Sequence, residues 1–209
     1  MNTITRIAGI ILAAGESRRM GKLKQCLPYK GKSLLECVID NALASSLHRV
    51  IVVLGCEADR LATLIKDKNV GIVINNRYTE GQSSSLKSGL QAITADVDAV
   101  LFLLGDQPLV MPETINMLLA AFEKAPSSPV VLPAFKGKRG NPVLFSRETF
   151  SRIKMLKEDC GARSLIQEYG KRIVYVEVPD SSIHFDIDTE DDYRLLLRSE
   201  CGSDSILKT

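Results

Sequence analysis

Four short apolar runs rich in β-branched residues, "RIAGIILAA", "RVIVVLG", "GIVIN" and "DAVLFLLGD", are separated by stretches whose apolar residues recur at helical spacing. Strands that alternate with helices build a largely parallel sheet, because each crossover returns along a helix packed on one of its faces. The pattern therefore predicts an α/β fold with a mostly parallel central sheet and helices on both faces. The helical segments lie at 33–46, 58–66, 83–93 and 112–124. Ser33 with Glu36 three residues later forms a capping box, and Pro112 suits a first helical turn. "DAVLFLLGD" is the most apolar run and is expected at the centre of the sheet.

After "PSSP" at 126–129 the pattern changes. "VVLPAF" and "NPVLF" read as short strands flanking a Gly-Lys-Arg-Gly turn at 137–140, so the second half is expected to be mixed. Helices are expected over 147–157, 162–169 and 190–199, with "RIVYVEVP" as a late strand. The length of 209 residues suits one domain over 1–200, followed by a frayed tail at 201–209.

A net charge of +2 gives no reason to expect a nucleic-acid polymer as partner. Basic residues instead cluster locally, at Arg18, Arg19, Lys22 and Lys24 and again at Lys136, Lys138 and Arg139, which suits a small anionic ligand. Five scattered cysteines without a C-x-x-C pair fit reduced thiols in the cytoplasm better than disulfides or a zinc site. The apolar stretch at 7–14 is too short for a membrane span, and no membrane partner is expected.

The first strand opens into "LAAGESRRMGKLK". Five residues separate Gly15 from Gly21, and Lys22 is followed by Leu23, so the loop is not a P-loop; nor does it contain G-x-G-x-x-G. Its small residues would admit a base or phosphate close to the backbone. Ligands of open α/β sheets bind beyond the carboxyl ends of the strands, which selects the loops 14–24, 55–57, 75–85 and 105–108. Asp106 in "LLGDQP" is a hard oxygen ligand for magnesium there, or else a turn cap before Pro108. Asp186 and Asp188 in "HFDIDTEDDY" alternate at strand spacing and so would share a face. Asp191 and Asp192 read as helix caps. A metal held by Asp106 and one of the other two would leave positions open for triphosphate oxygens, as phosphoryl or nucleotidyl transfer needs. The serine cluster at 83–85 is either a helix cap or a contact for an anion or base edge. His48 and His184 do not form a catalytic pair, and no Ser/His/Asp signature is present.

Six blocks in this order, "LAAGESRRMGKLK", "LPYKGKSLLE", "YTEGQSSSLKSGL", "LGDQP", "RGNPVLF" and "DIDTEDD", resemble the MobA-like nucleotidyltransferases over residues 7–196. Within that family the chain is similar to the molybdenum cofactor cytidylyltransferase branch. The resemblance implies a Rossmann-like, glycosyltransferase-A-type fold. It also implies a reaction that joins a nucleoside triphosphate to a phosphate-bearing acceptor and releases pyrophosphate, with Mg2+ or Mn2+. Carried over by position, Leu12, Ala13, Ala14 and Gly15 would contact base and ribose, helped by Gly81, with Ser85 on the base. Arg19 would bind the β- and γ-phosphates and Lys24 the α-phosphate, without a helix N-terminus. Asp106 would hold the metal together with Asp186 or Asp188. Acceptor contacts would come from Arg139, Gly140, Asn141 and Pro142, and from Asp159, Gly161 and Arg163.

The methyl of Ala14, where guanylyltransferases of the superfamily carry glycine, resembles the pyrimidine branch and favours CTP. The implied acceptor is molybdopterin, and the implied client a molybdenum hydroxylase of the xanthine dehydrogenase type. Asn141, where many relatives carry His, and Cys160 depart from the pattern and bear on the acceptor. Rival readings are a nucleotidyltransferase for a sugar phosphate or other acceptor, and a non-catalytic carrier of the cofactor. An NAD(P)-dependent oxidoreductase is disfavoured by the missing fingerprint. No general base is needed, since a phosphate acceptor is already ionised.

Overall fold

The computed structural model describes residues 5–156 and 162–200. Strand β1 (Ile7–Ala13) leads into a loop, a 3-10 turn at Lys24–Cys26 and a small hairpin of β2 (Pro28–Tyr29) and β3 (Lys32–Ser33). Helix α1 (Leu34–Leu43) connects to β4 (Arg49–Leu54), and α2 (Ala58–Leu64) to β5 (Gly71–Ile74). Helix α3 (Gln82–Gln91) then leads to β6 (Ala99–Leu104), and α4 (Pro112–Lys124) to β7 (Val130–Phe135). The remainder comprises β8 (Lys138–Arg139), β9 (Val143–Ser146), α5 (Phe150–Lys154), α6 (Arg163–Tyr169), β10 (Ile173–Glu177) and α7 (Glu190–Glu200).

The main sheet runs in the order β10-β7-β9-β6-β1-β4-β5, with β8 added on β7. Pairings β1 with β4, β1 with β6, β4 with β5 and β7 with β10 are parallel; β9 runs antiparallel to both its neighbours. The fold is thus the mostly parallel α/β sheet expected, and its most apolar strand, β6, occupies the centre.

Side chains of a strand alternate between faces, and here the alternation sorts the core into two layers. Ile7, Ile11, Leu101 and Leu103 pack with Leu35, Ile39, Ile115 and Leu118 of α1 and α4. Ala8, Ile10, Val100 and Phe102 face Leu86, Leu90, Ile153 and Leu165 of α3, α5 and α6. The capping box of α1 forms as the sequence specifies: Glu36 N donates to Ser33 Oγ (3.2 Å), and Ser33 N to Glu36 Oε2 (2.9 Å).

Three expectations are corrected. The tight turn sits at Lys136–Gly137, both with positive φ, while Lys138 and Arg139 form β8. The segment from 147 begins as a 3-10 turn, and α5 ends at Lys154. Asp186–Asp188 has no strand pairing; its place is fixed by Ile187 N donating to the Asp106 carbonyl (3.1 Å).

The chain winds from β1 outward through β4 and β5, then returns to place β6 on the other side of β1. The crossovers through α1 and α3 cover opposite faces, so a crevice opens between the carboxyl ends of β1 and β6. Tyr193 and Leu196 of α7 pack with Leu27, Tyr29, Leu34 and Ile187, and Tyr193 Oη donates to the Pro28 carbonyl (2.7 Å). That packing brings the late aspartates over the crevice.

A second tie to this segment requires glycine at position 140. Gly140 N donates to Pro133 O (3.0 Å) and Asn141 N to Ile183 O (3.1 Å), and a Cβ on Gly140 would lie 2.8 Å from Ile183 Cγ1 and closer still to the Ile183 carbonyl oxygen. A backbone carbonyl cannot swing aside as a side chain can, so Gly140→Ala should cost about 1–3 kcal/mol of stability. Chemical denaturation checks this; a midpoint unchanged from the parent protein would refute the close approach.

Candidate active site

The crevice is a cleft of about 550 Å³. Of the residues singled out in the sequence, Leu12, Ala14, Gly15, Arg19, Lys24, Gly81, Ser85, Asp106 and Asp188 line it. Ala13 does not: its methyl is part of the core, 1% exposed, so only its backbone can reach a ligand. Gly15 has no atom within 4 Å of where a Cβ would stand, and its face is open. Gly55 is different, because a Cβ there would meet Ala14 Cβ at 2.8 Å. The Ala14 loop and the turn after β4 are therefore pressed together, and Cys56 N donates to Ala14 O (3.1 Å).

Four charges meet on the floor. Lys24 Nζ lies 2.5 Å from Asp106 Oδ2 and 2.8 Å from Asp188 Oδ1, and Arg19 reaches Asp188 Oδ2 at 2.7 Å. The Lys24 side chain is only 11% exposed. Burial alone would lower its pKa, but the charges and hydrogen bonds of Asp106 and Asp188 outweigh that and hold it above the ordinary lysine value. For Asp188 burial pushes upward, and Lys24 and Arg19 more than reverse it, keeping the carboxylate below its usual range.

Asp106 Oδ1 is buried and has no hydrogen-bond partner. An orphaned carboxylate oxygen costs free energy unless something cationic or donating reaches it, and a divalent metal is the group that chemistry favours. Among the described residues no cluster of three or more His, Cys, Asp or Glu side chains could hold a metal. A metal here would take Asp106 and one further carboxylate and draw its other ligands from phosphate and water, which is how Mg2+ commonly binds.

Asp186 stands apart from the ion pairs. Gln107 Nε2, on a side chain 2% exposed, donates to Asp186 Oδ1 (2.6 Å) and to Ile183 O (3.4 Å). Burial, then the negative charge of Asp106, raise the Asp186 pKa to about 6.

Neighbouring side chains brace the loop. Gln25 is 3% exposed; its Nε2 donates to Gly15 O (3.4 Å), and its Oε1 accepts from Ser17 Oγ (3.2 Å). Ser17 Oγ in turn accepts from Lys24 N (3.2 Å). On the opposite wall Asn75, 3% exposed, donates to Ser84 Oγ (2.8 Å) and Ser85 Oγ (3.0 Å). Gln25, Asn75 and Gln107 were not singled out in the sequence. For Asn75 and Gln107 the available signal was a polar side chain inside a loop already chosen for its ligand-binding position; Gln25, one residue past the 14–24 loop, had none.

A second cavity of about 210 Å³ adjoins the first, sharing Leu12, Gln82 and Leu104. Arg139, Gly140, Asn141 and Arg163 line it above an apolar floor that includes Phe102, Leu132 and Phe145. The acceptor residues expected from sequence thus converge there, except Pro142, which is not in the lining. Asp159 and Gly161 lie outside the described residues. His48 and His184 are both exposed and separate, His184 Nε2 resting 3.1 Å from Lys138 O. Asp192 caps α7, as expected, accepting from Thr189 N at 2.7 Å.

The raised pKa of Asp186 has a sign that can be checked. In the unfolded chain the carboxyl ionises near its ordinary value of 3.8, and in the folded protein only near 6. Its contribution favours folding below pH 3.8 and is lost as pH rises through 6. Asp186→Asn keeps the oxygen that Gln107 needs and removes the charge. With chelator present, the variant should melt higher than the parent at pH 7.5 and lose that advantage below pH 4. Equal melting temperatures at pH 7.5 would show that the carboxylate is not penalised by its surroundings.

The MobA-like NTP transferase domain matches residues 9–173. Purine catabolism protein PucB of Bacillus subtilis (strain 168) is 34% identical over 203 residues, covering 92% of this chain and 97% of that protein. Nicotine blue oxidoreductase of Paenarthrobacter nicotinovorans is 28% identical, covering 91% and 96% of the two chains. Molybdenum cofactor cytidylyltransferase of Escherichia coli (strain K12) is also 28% identical, covering 88% and 92%. The crystal structure of Rv0371c from Mycobacterium tuberculosis H37Rv superposes with a TM-score of 0.83 at 28% identity, covering 94% of this chain and all of that one. The same mycobacterial protein has been solved in complex with manganese. With the strand-to-loop cleft, its carboxylates and its basic side chains in place, the chain belongs to the MobA-like NTP transferase family of nucleotidyltransferases.

Proposed function

We propose that this protein transfers CMP from CTP to the terminal phosphate of molybdopterin or its molybdenum-bearing form, releasing pyrophosphate, in the cytoplasm. The observation that carries the reading is the pairing of Lys24 with Asp106 and Asp188 on the floor of a cleft roofed by small residues. Cations for a triphosphate and oxygens for its metal stand together there. A divalent ion, Mg2+ or Mn2+, would supply positive charge for the phosphate oxygens when held by Asp106 with Asp188. Lys24 would sit on the α-phosphate, where charge grows as an acceptor oxygen bonds to phosphorus and the bond to the departing pyrophosphate breaks. Arg19 would hold the leaving β- and γ-phosphates.

Leu12, Ala14, Gly15, Gly81 and Ser85 would surround base and ribose. The adjoining cavity would take the acceptor, with Arg139 and Arg163 facing its anionic part and Asn141 at its rim. Neither arginine has an ion-pair partner among the described residues.

The name of the E. coli relative supports this acceptor and base. The name of the B. subtilis relative fits a client molybdenum hydroxylase that acts on purines. The oxidoreductase relative favours a second reading, redox chemistry on the same scaffold, but the chain lacks the glycine fingerprint for a dinucleotide.

Pyrophosphate release, measured with CTP, GTP, ATP and UTP in the presence of molybdopterin and Mg2+, tests the reading. CTP should turn over fastest. Tight cofactor binding without turnover of any triphosphate would sink the transferase assignment and leave a carrier. Asp106→Ala should lower kcat/KM by roughly 10³-fold, and Lys24→Ala should lower kcat by roughly 10²–10³-fold in a protein that still unfolds cooperatively, though at a lower temperature. Near-parental rates in either variant would misplace the site.

A further inference from the structure

We propose that Asn75 is a positioning residue for base selection, because it fixes Ser85 as a hydrogen-bond donor into the nucleotide cleft. The inference rests on the cytidylyltransfer reading and assigns a residue to its specificity.

The polarity of Asn75 follows from its neighbours. Arg77 N donates to Asn75 Oδ1 (3.0 Å), and a backbone N–H can only donate, so the amide nitrogen is the atom that faces the serines. That nitrogen spends its two hydrogens on Ser84 Oγ and Ser85 Oγ, at 2.8 and 3.0 Å. Ser84 closes its own account by donating to Gly81 O (2.8 Å).

Ser85 does not. Its oxygen accepts from Asn75, its hydroxyl hydrogen has no acceptor among the described residues, and it lines the cleft with the residue only 6% exposed. A buried hydroxyl in that state is satisfied by an acceptor on the ligand; a ligand donor on the remaining lone pair would leave the O–H orphaned. Cytosine offers two adjacent acceptors, O2 and N3. The pairing edge of guanine instead places two adjacent donors, N1–H and N2–H2, beside a single acceptor, O6, at its far end. The side chain of Asn75 is outside the cleft lining, so it acts through Ser85 rather than on the base.

Calorimetric titration with CTP and with GTP in the presence of Mg2+ tests the idea. Ser85→Ala should weaken CTP binding roughly 10-fold and leave GTP binding unchanged. Asn75→Ala should do the same, and the double variant should be no worse than Ser85→Ala alone, since the two residues act in series. Ser84→Ala removes the other bond of Asn75 and should leave the preference intact, which separates base selection from general loosening of the wall. In turnover the loss should fall on KM for CTP rather than on kcat. Equal losses for both triphosphates in Ser85→Ala, or additive losses in the double variant, would overturn the assignment. Failure of the parent protein to bind any triphosphate would instead overturn the cytidylyltransfer reading itself.

Discussion

Everything in the cleft is arranged around one ammonium group. Lys24 Nζ bridges Asp106 and Asp188, which lie 82 and 164 positions away in the chain. Without it, two carboxylates would face each other across a poorly solvated floor. Like charges held close together cost free energy unless a cation lies between them. Buried ion pairs are seldom a net gain in stability, since desolvation cancels much of the attraction. The sense of such a pairing lies in holding charged groups in fixed positions before a ligand arrives. Arg19, on the outer oxygen of Asp188, completes an array of two cations and two anions that is neutral overall.

The fold supplies the three strands of chain that this array needs. Lys24 arrives on the loop after β1, Asp106 on the end of β6 beside it, and Asp188 on a segment pinned from two sides. Packing of Tyr193 and Ile187 under α7 holds that segment from one side, and the Gly140–Ile183 approach holds it from the other. The last link is direct, through Ile187 N on the Asp106 carbonyl. Strand order alone produced the crevice, but tertiary packing of the C-terminal helix put the second carboxylate into it.

Strand alternation, the capping box and the apolar central strand were legible from the sequence because each is a local pattern with a local cause. The loops that line the cleft were legible too, since they follow from where parallel strands end. What the residues did not announce was which side chains hold the others. Gln107 lies within the LGDQP motif, and Asn75 at the start of the 75–85 loop, yet their partners are distant or geometrically specific. A hydrogen bond from Gln107 to Asp186 spans 79 positions, and no period or composition encodes it. Ala13 shows the converse: its place in a small-residue motif suggested a ligand contact, but strand parity turns its methyl into the core.

The sequence also left Asp186 and Asp188 equivalent, two aspartates at alternating positions. Their surroundings separate them. Asp188 is held ionised by Lys24 and Arg19, and one lysine already spans the gap between it and Asp106. Asp186 is half-buried and repelled by Asp106, which together outweigh the hydrogen bond from Gln107, so it takes up a proton far more readily. A hard cation needs ionised oxygens that can reach it together. On the proposed chemistry, the shared contact with Lys24 favours Asp188 as the partner of Asp106. Asp186, tethered by Gln107, instead helps fix the backbone that carries Asp188.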